Sequence, residues 1–214
     1  MKSTLHWMIS WLSLLCWVTL LSCDGSPDIK QRVIKRITIS KPPQRVIVIR
    51  PIGRVDMKKV AVIKSRLDKI FDSVVVRKPE QIPTRFYYKP RSRYRADSII
   101  RWLATGVKNG EVHLAVTGYP ISITHKELKI RDYGVFGWGN IKGPQTCVVS
   151  DYLLKRKDLF YIIAEHELGH NFGLDHCATT GCYMIAGNGK DRTAKMKGFC
   201  GSCRGTLVKQ GWRL

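Results

Sequence analysis

The sequence is short of acidic residues: 16 Asp and Glu stand against 37 Lys and Arg, a formal net charge of +21. So basic a chain is attracted to anionic lipid headgroups, acidic glycans and acidic polypeptides, and the attraction weakens at high salt. No nucleic-acid-binding module is recognisable, and the positive charge is spread over many segments, which is typical of a solvated surface. We therefore expect anionic surfaces, but no nucleic acid, among the partners.

Internal repeats and long low-complexity tracts are also missing, so neither a repeat array nor a largely disordered chain is expected. The 214 residues are 44% hydrophobic, which is enough to bury one ordinary core. The length favours a single compact domain, which we place at residues 45–214 and expect to be a monomer.

The one long hydrophobic run lies at the N-terminus. Residues 5–21 are almost all apolar or aromatic and follow a single charge, a pattern typical of an export signal over residues 1–22. The run ends in the letters LLSC, which resemble the lipobox of bacterial lipoproteins, so Cys23 would carry the lipid. A cleaved signal without lipid and an uncleaved anchor are the alternatives.

Residues 23–44 are polar and basic and contain several prolines and glycines, which predicts a tether. Together with the signal, this tether predicts an exported, membrane-anchored lipoprotein. The folded domain would then lie on the periplasmic or cell-surface side.

Beyond the tether, short apolar runs alternate with amphipathic stretches. The pattern predicts a strand, a helix, a strand, a helix and a strand at residues 46–49, 57–71, 74–76, 95–107 and 113–116. We interpret residues 133–150, rich in glycine and aromatic residues, as an edge strand, a bulge and a central strand. Helical periodicity returns at Asp158. The prediction is an α/β fold with a mixed, mainly parallel sheet, two long helices and a further helix that carries the chemistry.

That last helix carries the most specific motif, HELGHNFGLDH at residues 166–176. His166 and His170 are four residues apart, so both lie on one helical face and can bind one zinc ion. Glu167 is displaced around the helix and is the general-base candidate. Gly173 can end the helix in a left-handed conformation and return His176 as the third ligand. Three protein ligands leave a position for water, which is typical of catalytic zinc.

The alternative is a chance occurrence of the short motif, since H-E-x-x-H also arises in unrelated proteins. The longer form, with a glycine and a third histidine, is far more demanding.

Four cysteines follow the histidines in two closely spaced pairs. They predict a closed, structural zinc site with four thiolate ligands, Cys177, Cys182, Cys200 and Cys203. Two disulfides are the alternative, because cysteines of exported proteins are usually oxidised. Cys147 is left over and is predicted to be a buried core residue.

The combined motifs resemble those of archaemetzincins, metzincin-clan zinc metallopeptidases that add a four-cysteine zinc site to the catalytic one. The resemblance implies helices above a cleft, an irregular lower part, and Met184 as the methionine turn that forms an apolar floor beneath the ligands. Two zinc ions per chain are implied. The loop between Met184 and the last cysteine pair is shorter than the family's pattern, and the lipobox is a second departure.

The resemblance also implies the reaction. Zinc would activate a water for attack on a peptide bond, Glu167 would act as general base and then as general acid, and the substrate would pair with an edge strand within residues 133–141. The alternatives are a non-catalytic, zinc-stabilised surface binding protein and a zinc amidohydrolase acting on a non-peptide substrate.

Overall fold

The computed structural model describes residues 44–139 and 145–214. The predicted signal, the lipid-anchor candidate Cys23 and the tether up to residue 43 lie outside the described residues and stay predictions. Within the described ranges, no helix combines the length and apolar character needed to cross a membrane.

The regular elements of the described chain can be given in chain order. The strands are β1 (Val46–Pro51), β2 (Ser73–Val76), β3 (Tyr87–Tyr88), β4 (Arg93–Arg95), β5 (Glu111–Thr117), β6 (Ile121–His125), β7 (Ile130–Val135), β8 (Gly137–Gly139) and β9 (Thr146–Ser150). The α-helices are α1 (Met57–Ile70), α2 (Ala96–Ala104), α3 (Phe160–Asn171) and α4 (Gly201–Lys209). Short 3-10 turns lie at Thr84–Phe86, Lys89–Arg91, Lys157–Leu159 and Thr193–Lys195.

A five-stranded sheet of order β2-β1-β5-β9-β8 forms the centre of the fold. Its first four strands are parallel and β8 is antiparallel to β9. The predicted α/β fold with a mixed, mainly parallel sheet is therefore confirmed. Strand β8 lies at the edge of this sheet, inside the segment where the sequence placed an edge strand.

Helices cover both faces of this sheet. Side chains of β1, β5 and β9 alternate between the faces because successive residues of a strand point in opposite directions. One face packs against α1 and α3, as at Ile49, Leu114 and Val149. The other face packs against α2, as at Ala115 and Val148.

A second sheet, of order β3-β4-β6-β7, was not predicted. It lies beside α2, and Ile121 and Ile123 of β6 join the core on that side. Strands β3 and β4 are two and three residues long, too short to show a period-two pattern. Strand β7 carries charged residues that mask its alternation.

Helix α3 is buried around its whole circumference. Every residue of Phe160–Asn171 except Tyr161 is buried, because the sheet, α1 and the C-terminal segment enclose it. A helix in this position is apolar on most sides. Its few polar side chains, which include both histidines of the motif, must therefore find partners inside the protein.

The C-terminal part is mostly irregular, as predicted. Between α3 and α4 the described chain contains one 3-10 turn, Thr193–Lys195. Helix α4 was not predicted, because only Cys203 and Leu207 on it are buried and no apolar periodicity results. Behind it, Trp212 packs edge-on against Phe71, Phe172 and Phe199 at ring-centroid distances of 4.9, 5.3 and 5.6 Å.

We predict that Trp212→Ala lowers the free energy of unfolding by about 3–5 kcal/mol, because it removes a large buried side chain and leaves a cavity. Urea denaturation followed by circular dichroism measures the change. Trp138→Ala is the matched control, since Trp138 is 37% exposed, against 2% for Trp212. Equal losses in the two variants would contradict this account of the C-terminal core.

Candidate active site

The structure brings the three histidines of the motif together. His166 and His170 lie one turn apart on α3, and Gly173, with φ +89°, ends the helix in the left-handed conformation predicted for it. His176 follows three residues later. One nitrogen from each imidazole lies within 4.8 Å of the others, and the Nε2 atoms of His166 and His170 are 3.1 Å apart.

Two main-chain carbonyls orient the helical histidines. Nδ1 of His166 is 2.6 Å from the carbonyl oxygen of Tyr183, and Nδ1 of His170 is 2.7 Å from that of Leu174. A carbonyl oxygen only accepts hydrogen bonds, so each Nδ1 must carry the proton. In the neutral imidazole the Nε2 atom is then a bare acceptor, with its lone pair free for a metal.

These imidazoles are held in the neutral form. Burial, with the neighbouring His170 second, lowers the pKa of His166 to about 3. Burial also lowers the pKa values of His170 and His176. Neutral imidazole is the form that binds a metal ion, so the buried environment of these side chains favours metal binding over protonation.

The three nitrogens fit a zinc ion. Three imidazoles around a tetrahedral zinc, with Zn–N bonds of about 2.0–2.1 Å, require N···N separations of about 3.3 Å. Two bare acceptor nitrogens 3.1 Å apart repel one another unless a cation lies between them. The donor set and its spacing therefore suit the predicted metal.

Glu167 lies buried in a slot whose walls are glycines. A Cβ atom added to Gly137 would lie 2.5 Å from Cγ of Glu167, and one added to Gly139 would lie 2.9 Å from its carbonyl oxygen. These two residues of β8 pair with Val149 and Cys147 on β9 and face α3. Burial raises the pKa of Glu167 to about 8.

Met184 lies against the middle of the motif helix. It is fully buried, and a Cβ atom on Gly169 would lie 2.7 Å from its sulfur. The glycine between the two histidines thus leaves room for the methionine. This position is compatible with the apolar floor that the resemblance implies.

The four cysteines of the second motif also meet in space. Four sulfur atoms lie within 4.8 Å of one another, those of Cys177, Cys182, Cys200 and Cys203. All four residues are free thiols, and the sulfurs of Cys177 and Cys200 are 3.7 Å apart. Four thiolates 2.3 Å from one zinc ion require S···S distances of about 3.8 Å, so the cluster fits that ion. Cys147, as predicted, is a buried core residue of β9.

The hydrogen bond from the backbone of Cys203 lowers the pKa of Cys200 to about 6. Cys200 is the N-cap of α4, where unpaired backbone N–H groups favour the thiolate. One ligand of the cluster is therefore ready to bind a cation near neutral pH.

A cleft of about 610 Å³ opens onto the histidines and Glu167. Strand β8 and α3 line one side of it, and the hairpin of β6 and β7 and residues 185–193 line the rest. Its lining includes aromatic side chains such as Phe136 and Trp138 and charged ones such as Lys126 and Asp175.

Some contributors to this site had no signal that sequence reasoning could use. Leu174 and Tyr183 accept the histidine hydrogen bonds with their backbone carbonyls, and the type of side chain at these positions does not predict such a bond. Gly137 and Gly139 were noticed as part of a glycine-rich strand, but their contact with Glu167 depends on how β8 packs on α3. Cys23 is the one site residue outside the described part of the chain.

Comparison with known proteins identifies similar chains. A family model described as peptidase family M54 matches residues 144–209. An archaemetzincin of Halobacterium salinarum is 32% identical over 174 residues, which covers 73% of this chain and 96% of that protein.

Solved structures share the fold. The crystal structure of archaemetzincin from Archaeoglobus fulgidus, complexed with malonate, aligns with a TM-score of 0.62 at 27% identity and covers 75% of this chain and 98% of that one. The archaemetzincin structure from Methanopyrus kandleri aligns with a TM-score of 0.63 at 24% identity, over 78% of this chain and 94% of that one.

We predict that Gly137→Ala lowers the free energy of unfolding by about 1–3 kcal/mol, because the added methyl overlaps the buried side chain of Glu167. In the double variant with Glu167→Ala the overlap is gone, so the two effects should be non-additive by about 0.5–3 kcal/mol. Gly205→Ala is the control, since a Cβ there meets open space. Urea denaturation of metal-free protein measures all four; strict additivity would exclude the proposed overlap.

Proposed function

Because the chain belongs to the archaemetzincin family of zinc metallopeptidases, we propose that it hydrolyses peptide bonds at the three-histidine site, with Glu167 as general base. The observation that carries this proposal is the pair of bare Nε2 atoms of His166 and His170, 3.1 Å apart at the base of an open cleft. A carboxylate next to them in sequence and buried beside the same cleft supplies the base.

We propose that His166, His170 and His176 hold the catalytic zinc ion. When bound, zinc supplies a Lewis acid that polarises a peptide carbonyl and makes a water molecule acidic near neutral pH. The protein's part is to keep the three imidazoles neutral and two of them fixed in one tautomer. Burial and the carbonyls of Tyr183 and Leu174 do both.

Glu167 would take the proton from the attacking water and later give it to the leaving amine. The glycine-walled slot limits the positions that its side chain can adopt, which favours a fixed direction of proton transfer. Its pKa, raised by burial to about 8, suits a group that must both accept and release a proton near neutral pH. A cation at the histidines would lower that pKa and favour the carboxylate.

We propose that the substrate is a peptide or protein that binds as an additional strand along β8. Among the described strands, β8 pairs with β9 alone, and its other edge is available for main-chain hydrogen bonds. The cleft runs beside this edge and leads to Glu167.

We also propose that the four cysteines hold a second, structural zinc ion, giving two per chain. Their mutual spacing and free thiols support one tetrahedral ion rather than two disulfides. With no open position left, such an ion would contribute to folding and not to the reaction.

Export and lipid anchoring through Cys23 are proposed on the sequence of residues 1–23. The folded domain would then act at a membrane surface, where its basic charge favours anionic headgroups.

We predict that Glu167→Gln lowers kcat for peptide cleavage by about a hundred- to ten-thousand-fold while the zinc content stays that of the wild type. Cleavage of a peptide library by mass spectrometry and elemental zinc analysis measure both. Glu165→Gln is the matched control on the same helix. Its carboxylate pairs with Arg66 at 3.1 Å, and burial raises its pKa, so this change should affect stability rather than kcat.

Unchanged cleavage in Glu167→Gln would contradict the proposed role. A zinc-loaded wild type that cleaves no peptide would favour the surface binding protein, or the amidohydrolase if it releases amines from non-peptide amides.

We predict that Cys23→Ala moves the protein from the membrane fraction to the soluble exported fraction, because the lipid attachment atom is lost. Fractionation of bacterial cells that express the full chain, with labelling by a fatty-acid analogue, measures this. Cys16→Ala is the control, since Cys16 lies within the predicted signal. Equal membrane retention of the three proteins, without label on the wild type, would exclude lipidation.

A further inference from the structure

The cysteine cluster and the histidine site are joined at two points along the chain. His176 is followed directly by Cys177, so the third histidine and the first thiol share a peptide bond. Cys182 is followed directly by Tyr183, whose carbonyl oxygen accepts the Nδ1–H of His166. At each of these two points a cysteine is adjacent in sequence to a residue that determines the position of an imidazole.

Hydrogen bonds close the segment between these two points into a loop. The N–H of Cys177 donates to the carbonyl of Met184 at 2.8 Å, and the N–H of Met184 donates to the sulfur of Cys182 at 3.4 Å. The N–H of Tyr183 donates to the carbonyl of Gly198 at 2.8 Å. A shift of the sulfurs would therefore move the Tyr183 carbonyl with them.

Little regular secondary structure holds this loop. From residue 172 to residue 200 the described chain has one 3-10 turn and one isolated β-bridge, Cys182 with Gly198. The ring of Tyr183 packs edge-on against Phe199 at 5.2 Å, next to Cys200. Two supports of the Tyr183 carbonyl, the bond from its N–H to Gly198 and the packing of its ring on Phe199, therefore lie beside a cysteine of the cluster.

We propose that the cysteine cluster, with its four sulfurs gathered on one metal ion, is a positioning device for the histidine site and raises that site's affinity for zinc. The inference rests on the proposed function, since it concerns the zinc that His166, His170 and His176 would hold. It goes further by making the two metal sites energetically dependent. The sulfurs fix the carbonyl partner of His166 and the backbone of His176, and both imidazoles are then aimed before the ion arrives.

Cys203→Ser tests the proposal most directly. Cys203 is on α4 and is adjacent in sequence to neither His176 nor Tyr183, so the substitution leaves the residues next to both unchanged. We expect the dissociation constant for zinc at the histidine site to rise about 10- to 100-fold, as for loss of other groups that orient metal ligands. Ser202→Ala, one residue away and exposed, should leave it unchanged.

Chelator competition on the full chain measures these affinities, and cobalt(II) in place of zinc distinguishes the sites because thiolate ligands add near-ultraviolet charge-transfer absorption.

The reciprocal experiment does not need a cysteine variant to fold. Coupling of binding free energies is symmetric, so the cysteine-site affinity in His170→Ala should fall below that of the zinc-loaded wild type by the same factor.

Independent affinities in both experiments would overturn the proposal. A wild type that binds metal at the histidines but none at the cysteines would overturn it as well. Coupled sites without any Glu167-dependent cleavage would leave this inference standing and refute the peptidase mechanism instead.

Discussion

Two hydrogen bonds, from Nδ1 of His166 to the Tyr183 carbonyl and from Nδ1 of His170 to the Leu174 carbonyl, impose the constraint that the site depends on. They fix the tautomers, and fixed tautomers point both Nε2 atoms at one place. Each carbonyl has its own support. The left-handed Gly173 turns the chain so that Leu174 lies back against α3, while the loop around Cys182 presents Tyr183 from the other side.

The packing of α3 makes these bonds necessary. Helix α3 is buried on every side except where the cleft reaches its histidines, so the ring nitrogens that point away from the cleft need a protein partner. The carbonyls satisfy the Nδ1 atoms and leave the Nε2 atoms for a metal. Burial in the core therefore selects the neutral ligand state that zinc requires.

Much of this could be predicted from the sequence, because the relevant signals are local. Apolar runs predicted where the parallel strands lie along the chain, and the spacing of His166, His170 and His176 predicted a single metal centre. Contacts that depend on how elements pack could not be predicted, such as the fit of Gly137 against Glu167. The second sheet and α4 were missed because short strands and a helix with two buried residues show no periodicity.

The packing of α1 over α3 also has a consequence in time. Arg66 on α1 and its partner Glu165 on α3 are 99 positions apart. At about 5–20 residues per second, a ribosome needs roughly 5–20 s to make the chain between them. During that interval the part of α1 that packs on α3 is uncovered, and transiently exposed apolar surface of this kind promotes aggregation. Tyr183 is synthesised after both helices, so the histidine site cannot be complete before the helices of the core have been made.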